Sequence, residues 1–412
     1  MGDENDGAVT VIPPKGPQQK REMVVKKKTA PDLDLDSLLT TACKGKTGED
    51  ESFSAVTMID LMATPEVFGT GIEQLDRMLG GGFHWGRMAE LFGPNKSGKT
   101  ELARFISASI LEADPDVEVW YFDQEFALNP AILHKYPSLS LRNAAGKLRF
   151  RPISVSSLEE YFKLMYKALR MLGTINEKAI KEGTPTKKIV FVLDSVPALK
   201  ANASVENEEF EKSSLLPEPR IWSDQTSKLR QYLAHVGAFA IMVNQIRDKP
   251  GTPSYVDPES PGGQALKFYA DYRLYLRTSS KFSFSKGRSV PTGKRSSGFF
   301  SKITVRKNKT GLPDREMEMV ITFTDALGKK SGISPEWTLF YSLLDAKIIK
   351  SAGGKFRIAG LEEGFTRLDW VNLCDDLLKV DGSALRVALD TWVERQLSND
   401  SGSAGGGEEE DE

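Results

Sequence analysis

The sequence predicts an α/β protein built on a mostly parallel central sheet flanked by helices, with an antiparallel extension. Three observations predict it. Val117 to Phe122, Ile189 to Leu193 and Phe239 to Val243 are apolar runs of strand length, the pattern of strands buried on both faces. Between them, Ser157 to Leu172 and Ser223 to His235 read as crossover helices, which fits a doubly wound arrangement. A further apolar strand, Arg87 to Phe92, runs through a Gly-rich turn into a helix that begins Glu101-Leu102-Ala103.

In chain order, residues 1–50 are polar and rich in Pro, Gly, Lys and Asp, and are expected to be disordered. Within them, Asp32 to Leu39 is a candidate short helix that docks on a neighbouring subunit or stays solvated. Residues 51–335 form the expected core, with the compact pattern starting at Phe68-Gly69-Thr70-Gly71. Beyond Tyr269 the strand signals crowd together at 272–277, 302–306 and 317–323, and give the antiparallel extension. Residues 336–400 read as a helical region, with one helix at 336–350 and one or two within 365–397. Residues 401–412 are an acidic tail.

The chain has 412 residues and a net charge of −2, so any surface for nucleic acid has to be local. Two cysteines, Cys43 and Cys374, do not make a disulfide framework, and His84, His134 and His235 lack metal-ligand spacing. No apolar run approaches membrane-span length, and the start, Met1-Gly2-Asp3-Glu4, lacks a signal-peptide pattern. A soluble, cytoplasmic protein is expected, with no membrane partner.

The Gly-rich turn is Gly93-Pro94-Asn95-Lys96-Ser97-Gly98-Lys99-Thr100, a P-loop in every required position. Its backbone N–H groups and the helix N-terminus suit the phosphates of ATP, Lys99 reaches the terminal phosphates, and Thr100 is placed for Mg²⁺. A nucleotide triphosphatase follows. Asp194 ends the strand Ile189 to Leu193 and is expected to hold the Mg²⁺ shell. Glu125, after the strand Val117 to Phe122, is the candidate general base, with a structural cap as the alternative; Asp123 is read as a cap or support. Asn244-Gln245 either senses the γ-phosphate or is an ordinary polar strand end.

More specific blocks recur in a fixed order: Asp123 to Pro130, Leu193 to Leu199, Asn244-Gln245-Ile246-Arg247, Gly262-Gly263 leading into Gln264 to Ala270, and Arg306-Lys307-Asn308-Lys309. Over roughly residues 65 to 360 the chain resembles the RecA family of DNA strand-exchange recombinases, which implies a RecA-like P-loop ATPase core. The resemblance implies that Glu125 is the catalytic glutamate and Gln245 the γ-phosphate sensor. It implies that Lys307 and Lys309 reach ATP held by the adjacent subunit, although as residues alone they are a basic strand end. Lys267 and Phe268 match positions that contact the neighbour and couple ATP to DNA affinity. Two loops are expected to face DNA. One spans Asp248 to Pro261, with Arg247 and Lys249 for phosphates and Tyr255 for stacking, and is closed by Gly262-Gly263; the other spans Glu209 to Ser223, with Leu215 and Arg220.

The implied function is an ATP-dependent homologous recombination protein that forms filaments on single-stranded DNA and promotes homologous pairing and strand exchange, with DNA-stimulated ATP hydrolysis. Its implied partners are single-stranded DNA, homologous duplex DNA and further copies of itself, with single-strand-binding or mediator proteins as candidate accessories. A RecA-fold ring helicase or motor ATPase, and a mediator that does not hydrolyse, are the alternatives. The chain departs from the family at Pro250 and Ser254, where bulky apolar residues are usual, and at Ile132, where an aromatic usually covers adenine. The hairpin between Arg277 and Lys302 is longer than usual and basic, and is read as part of a secondary DNA site or as a solvated loop. Divergent ends around a kept core suit a viral member, acting in a host cytoplasm.

Overall fold

The computed structural model describes residues 66–201, 217–246, 264–283, 296–323 and 331–398. The first of these form a two-stranded pair, β1 (Val67–Phe68) and β2 (Phe83–His84), with α1 (Glu73–Leu79) between them. Strand β3 (Met88–Gly93) is buried along its whole length. The P-loop then turns the chain into α2 (Lys99–Ala113). The alternation continues through β4 (Val117–Asp123), α3 (Pro130–Lys135), β5 (Phe150–Ile153), α4 (Leu158–Glu182), β6 (Lys188–Asp194), α5 (Pro217–Val236) and β7 (Phe239–Gln245). A short helix, α6 (Gln264–Tyr269), precedes three longer strands, β8 (Tyr272–Phe282), β9 (Gly298–Asn308) and β10 (Glu316–Thr322). Then come β11 (Gly332–Ile333), α7 (Pro335–Asp345), the hairpin β12 (Lys350–Ala352) and β13 (Lys355–Arg357), α8 (Arg367–Leu377) and α9 (Ala384–Ser398).

Among the described residues one sheet holds nine strands in the order β11, β10, β9, β8, β3, β7, β6, β4, β5. From β8 to β5 every pairing is parallel, and β9, β10 and β11 continue it antiparallel. The expected architecture is therefore present, with β8 as the parallel strand from which the extension starts. Between β3 and β4 lie β7 and β6, so the connection through α2 skips two positions. That switch opens a crevice beyond the carboxyl ends of the strands, where the P-loop sits.

Two hydrophobic clusters cover the two faces. Ala89 and Leu91 of β3 belong to a cluster with α1, α2 and the C-terminal helices, while Met88 belongs to one with α4 and α5. This alternation is the period of two that a strand buried on both sides imposes. Trp337, Phe340 and Trp370 join the first cluster, and Tyr341 meets Phe300 of β9 edge-on at 4.9 Å. The C-terminal helices thus share a core with the sheet.

Several boundaries differ from the sequence expectation. α4 runs to Glu182, ten residues past Leu172, because its start is capped by the Ser157 hydroxyl and its end by Gly183 in a left-handed conformation. Its last turns are mostly polar, so the periodic signal fades before the helix does. The helix expected over 336–350 stops at Asp345 and gives way to the β12–β13 hairpin. Edge strand β5 was not anticipated, since Arg151 and Pro152 interrupt its apolar pattern. Among the described residues no helix is long and apolar enough to cross a membrane. Residues 1–50, the acidic tail 401–412, Leu215, Arg247, Lys249, Tyr255, Gly262 and Gly263 lie outside the described residues.

Candidate functional site

The P-loop is shaped by close backbone approach. A Cβ on Gly93 would lie 2.0 Å from the Leu276 carbonyl oxygen of β8, and one on Gly98, at φ 96°, would lie 2.6 Å from Ile321 Cδ1. Only glycine fits either position. The extension buttresses the loop from behind: Ser301 Oγ donates to Ser97 O at 2.6 Å and Thr278 Oγ1 to Lys96 O at 3.1 Å. The loop's own oxygens surround the Lys99 ammonium, which donates to Pro94 O at 2.6 Å, Gly93 O at 3.0 Å and Ser97 Oγ at 3.4 Å. Burial lowers the Lys99 pKa to about 8, against the opposing pull of Asp194 and Glu125. A desolvated cation of this kind is poised to accept an anion.

Beside it, Thr100 Oγ1 donates to Asp194 Oδ1 at 3.1 Å. Burial raises the Asp194 pKa, with Tyr121, Arg104 and Thr100 acting the other way. A hydroxyl and a carboxylate are the hard oxygen donors Mg²⁺ requires, so these residues fit a magnesium-bound triphosphate. Glu125, Ser195 and Gln245 converge from the ends of β4, β6 and β7. Glu125 Oε1 accepts from Ser195 Oγ at 2.6 Å and from Gln245 Nε2 at 3.0 Å. Glu125 itself is exposed to solvent.

The two neighbouring candidates have other duties. Asp123 accepts from the backbone N–H groups of Ala127 (3.1 Å) and Leu128 (2.8 Å), so it caps the turn that carries Glu125. Asn244 is fully buried, donates to Glu90 Oε1 at 2.8 Å, and accepts from the Gln245 N–H at 3.0 Å. Glu90 in turn is paired with Arg273 at 2.6 Å. Asn244 therefore belongs to a buried network under the strand end, and only Gln245 reaches Glu125.

A cavity of about 760 Å³ adjoins the P-loop, lined on one side by Lys96 to Glu101 and Arg104 and on the other by Lys281, Phe299 and Phe323. Ile132 is buried in the core and does not line it. The aromatic surface comes instead from the Phe299–Phe323 pair, whose ring centroids are 5.7 Å apart, with Phe323 57% exposed. Sequence reasoning missed this pair; its only signal was an aromatic at the end of the third extension strand.

Lys307 and Lys309 lie elsewhere. The register places Lys307 opposite Arg273 and Arg273 opposite Glu90, the third residue of β3, whereas the P-loop starts at its last residue, Gly93. From Glu90 to Gly93 is roughly 10 Å along the strand at about 3.3 Å per residue. Lys307 Nζ donates to Lys267 O at 2.9 Å and Phe268 O at 2.8 Å, so it clamps the end of α6. Burial, with the repulsion of Lys309, Arg273 and Arg230, lowers its pKa to about 8. Lys309, Arg87 and Arg230 gather around the buried Asp271 carboxylate at 3.5, 3.2 and 2.9 Å. Lys267 and Phe268 are exposed beside this cationic cluster. Arg220 is on α5 with its side chain 88% exposed, 3.9 Å from Asp224. Such an exposed pair is weak enough for a phosphate to replace.

Comparison with known proteins identifies the family. Residues 163–328 match the model of the RecA N-terminal domain, and residues 66–135 match that of Rad51. The chain is 32% identical over 301 residues to protein RecA of Thermus thermophilus, covering 73% of this chain and 77% of that one. It is 32% identical over 293 residues to protein RecA of Thermus aquaticus, covering 71% and 75%. With protein RecA of Bifidobacterium longum the identity is 29% over 365 residues, covering 87% and 79%. The chain belongs to the RecA family, the DNA-dependent ATPases of homologous pairing and strand exchange.

Proposed function

We propose that this protein assembles as a filament on single-stranded DNA and hydrolyses ATP at a site that each subunit shares with its neighbour. One observation carries this reading: Lys99, Glu125 and Gln245 gather beyond the carboxyl end of β3, while Lys307 and Lys309 lie back along the sheet, level with Glu90 and Met88. A second copy in head-to-tail register brings both sets to one phosphate, and such a heterologous contact repeats into a helical filament when its rotation does not close a ring.

Within one site, the P-loop from Gly93 to Thr100 holds the triphosphate, and Lys99 neutralises its terminal charge. Mg²⁺, held by Thr100 and Asp194, would supply further charge neutralisation on the phosphate oxygens. Glu125, oriented by Ser195, takes a proton from the attacking water. Gln245 is shared between Glu125 and the position of the γ-phosphate, so the base responds to what the sensor binds. Lys307 and Lys309 of the adjacent subunit complete the positive surround. When Lys307 turns to that phosphate it leaves the carbonyls of Lys267 and Phe268, and α6 is thereby coupled to the nucleotide. DNA is met by Arg220, which lies in the first turn of α5 and not in the loop expected to run to Ser223, together with Leu215, which precedes that helix in the sequence. In the other loop, Arg247, Lys249 and Tyr255 precede Gly262-Gly263. Phosphate contacts make the binding salt-dependent and largely indifferent to sequence.

The test is ATP turnover with and without single-stranded DNA, together with homologous pairing of a duplex in the same buffer. Stimulation by DNA and joint-molecule formation are expected; turnover indifferent to DNA contradicts the reading.

Two further outcomes follow from the site. Lys99 is charged below about pH 8 in the free protein, and a bound triphosphate favours the charged form. Above that pH binding has to protonate it first, so affinity for a non-hydrolysable ATP analogue falls by up to about tenfold per pH unit. Lys99→Arg removes the slope, and a flat wild-type profile between about pH 7 and 9.5 contradicts the assignment. Phe323→Ala removes a stacking surface from the cavity. A rise of about tenfold in KM for ATP with kcat kept is expected in steady-state assays.

A further inference from the structure

Asp194 is held by more than its place beside the P-loop requires. Tyr121, on β4 and fully buried, donates its hydroxyl to Asp194 Oδ2 at 2.7 Å, while Thr100 takes Oδ1. Arg104, one helical turn beyond Thr100 on α2, stands beside both Tyr121 and Asp194. It is only 8% exposed, it lines the cavity next to the P-loop, and its Nε and one terminal nitrogen have no hydrogen-bond partner among the described residues. Burying a guanidinium with unmet donors is costly, so its position calls for a compensating charge. The nearby Glu101 is already bonded to Tyr136 and Lys135. Asp194, whose charged form the guanidinium favours, is the acid it acts on.

We propose that Tyr121 and Arg104 are positioning residues for the metal-anchoring carboxylate, Tyr121 through orientation and Arg104 through charge. The proposal rests on the reading of Asp194 as the Mg²⁺ anchor. With Oδ2 tied to Tyr121, the carboxylate plane is fixed and Oδ1 is presented on the Thr100 side before a cation arrives. Outer-layer hydrogen bonds of this kind typically change metal affinity by about 10–100-fold. Arg104 meanwhile offsets the buried negative charge while the divalent cation is absent. Its Nε and one terminal nitrogen make no hydrogen bond among the described residues, so its effect on the carboxylate is one of charge.

The experiment uses the full chain and a fluorescent, non-hydrolysable ATP analogue titrated with Mg²⁺, with EDTA controls. Tyr121→Phe deletes one hydroxyl from a buried ring. It is expected to raise the Mg²⁺ concentration for half-maximal binding by about tenfold, with binding in EDTA unchanged. Thermal melting gives the second readout. Arg104→Met is expected to lower the melting temperature more in EDTA than with Mg²⁺ and nucleotide, because the metal's charge then takes the place of the guanidinium; Arg104→Lys restores most of the loss. A Tyr121→Phe titration that overlays the wild type, or an Arg104→Met loss equal in both conditions, overturns the proposal. If the wild type itself ignores Mg²⁺, the reading of Asp194 as anchor fails, and the proposal with it.

Discussion

Glu125→Gln is expected to lower DNA-stimulated ATP turnover by at least about 100-fold, the scale of a lost general base, while nucleotide and single-stranded DNA still bind. The substitution is nearly isosteric. Its remaining carbonyl oxygen can still accept from Ser195 Oγ and Gln245 Nε2, the two donors that hold Glu125 Oε1 now. What disappears is the capacity to take a proton, so the loss appears in kcat and leaves analogue binding close to wild type. Steady-state hydrolysis and an equilibrium binding titration on the same preparation separate the two. A variant that keeps most of its turnover places the base elsewhere.

The paired substitution Lys307→Ala with Lys309→Ala is expected to abolish DNA-stimulated turnover to a similar extent, for a different reason. In the isolated subunit neither lysine is near Lys99, so analogue binding to dispersed protein is unchanged. The defect arises only after assembly, when the neighbour's phosphate lacks its two cations. Stability changes little. Lys307 donates to two carbonyls at the exposed end of α6, where water can replace it, and Asp271 keeps Arg87 and Arg230. Hydrolysis measured at low and high protein concentration, with and without DNA, resolves the assembly dependence.

Much of this was legible in the sequence because the chemistry sits at strand ends. Lys99, Thr100, Asp194, Glu125 and Gln245 each follow an apolar run, and a doubly wound sheet brings such ends to one crevice whatever the lengths of the helices between them. The antiparallel extension was legible for the same reason, from three closely spaced strand patterns. What escaped was lateral. Nothing in sequence spacing says that Ser195 turns its hydroxyl to Glu125, since that depends on β4 and β6 being neighbours. Nor does it say that Asn244 turns inward to Glu90 while Gln245 turns out, a split that follows from the alternation of a buried strand. The position where the family usually has an aromatic, near Glu125 in the chain, holds Ile132, so the sequence left the aromatic side of the cavity unassigned. It comes from Phe299 and Phe323, brought to the P-loop by the pairing of β9 and β10. The division of the lysines from the P-loop along β3 needed the register of β8 and β9, which no linear pattern carries.

The most direct measurement mixes two inactive proteins. Glu125→Gln subunits have a disabled site of their own but intact Lys307 and Lys309, and the doubly lysine-substituted subunits have the reverse. At equal amounts on single-stranded DNA, random order in a head-to-tail filament pairs an intact Glu125 with intact lysines at roughly a quarter of the interfaces. A site shared between subunits predicts that the mixture recovers turnover in about that proportion, although each protein alone has almost none. A mixture as inactive as its components would contradict an interfacial site and place the whole of the chemistry within one subunit.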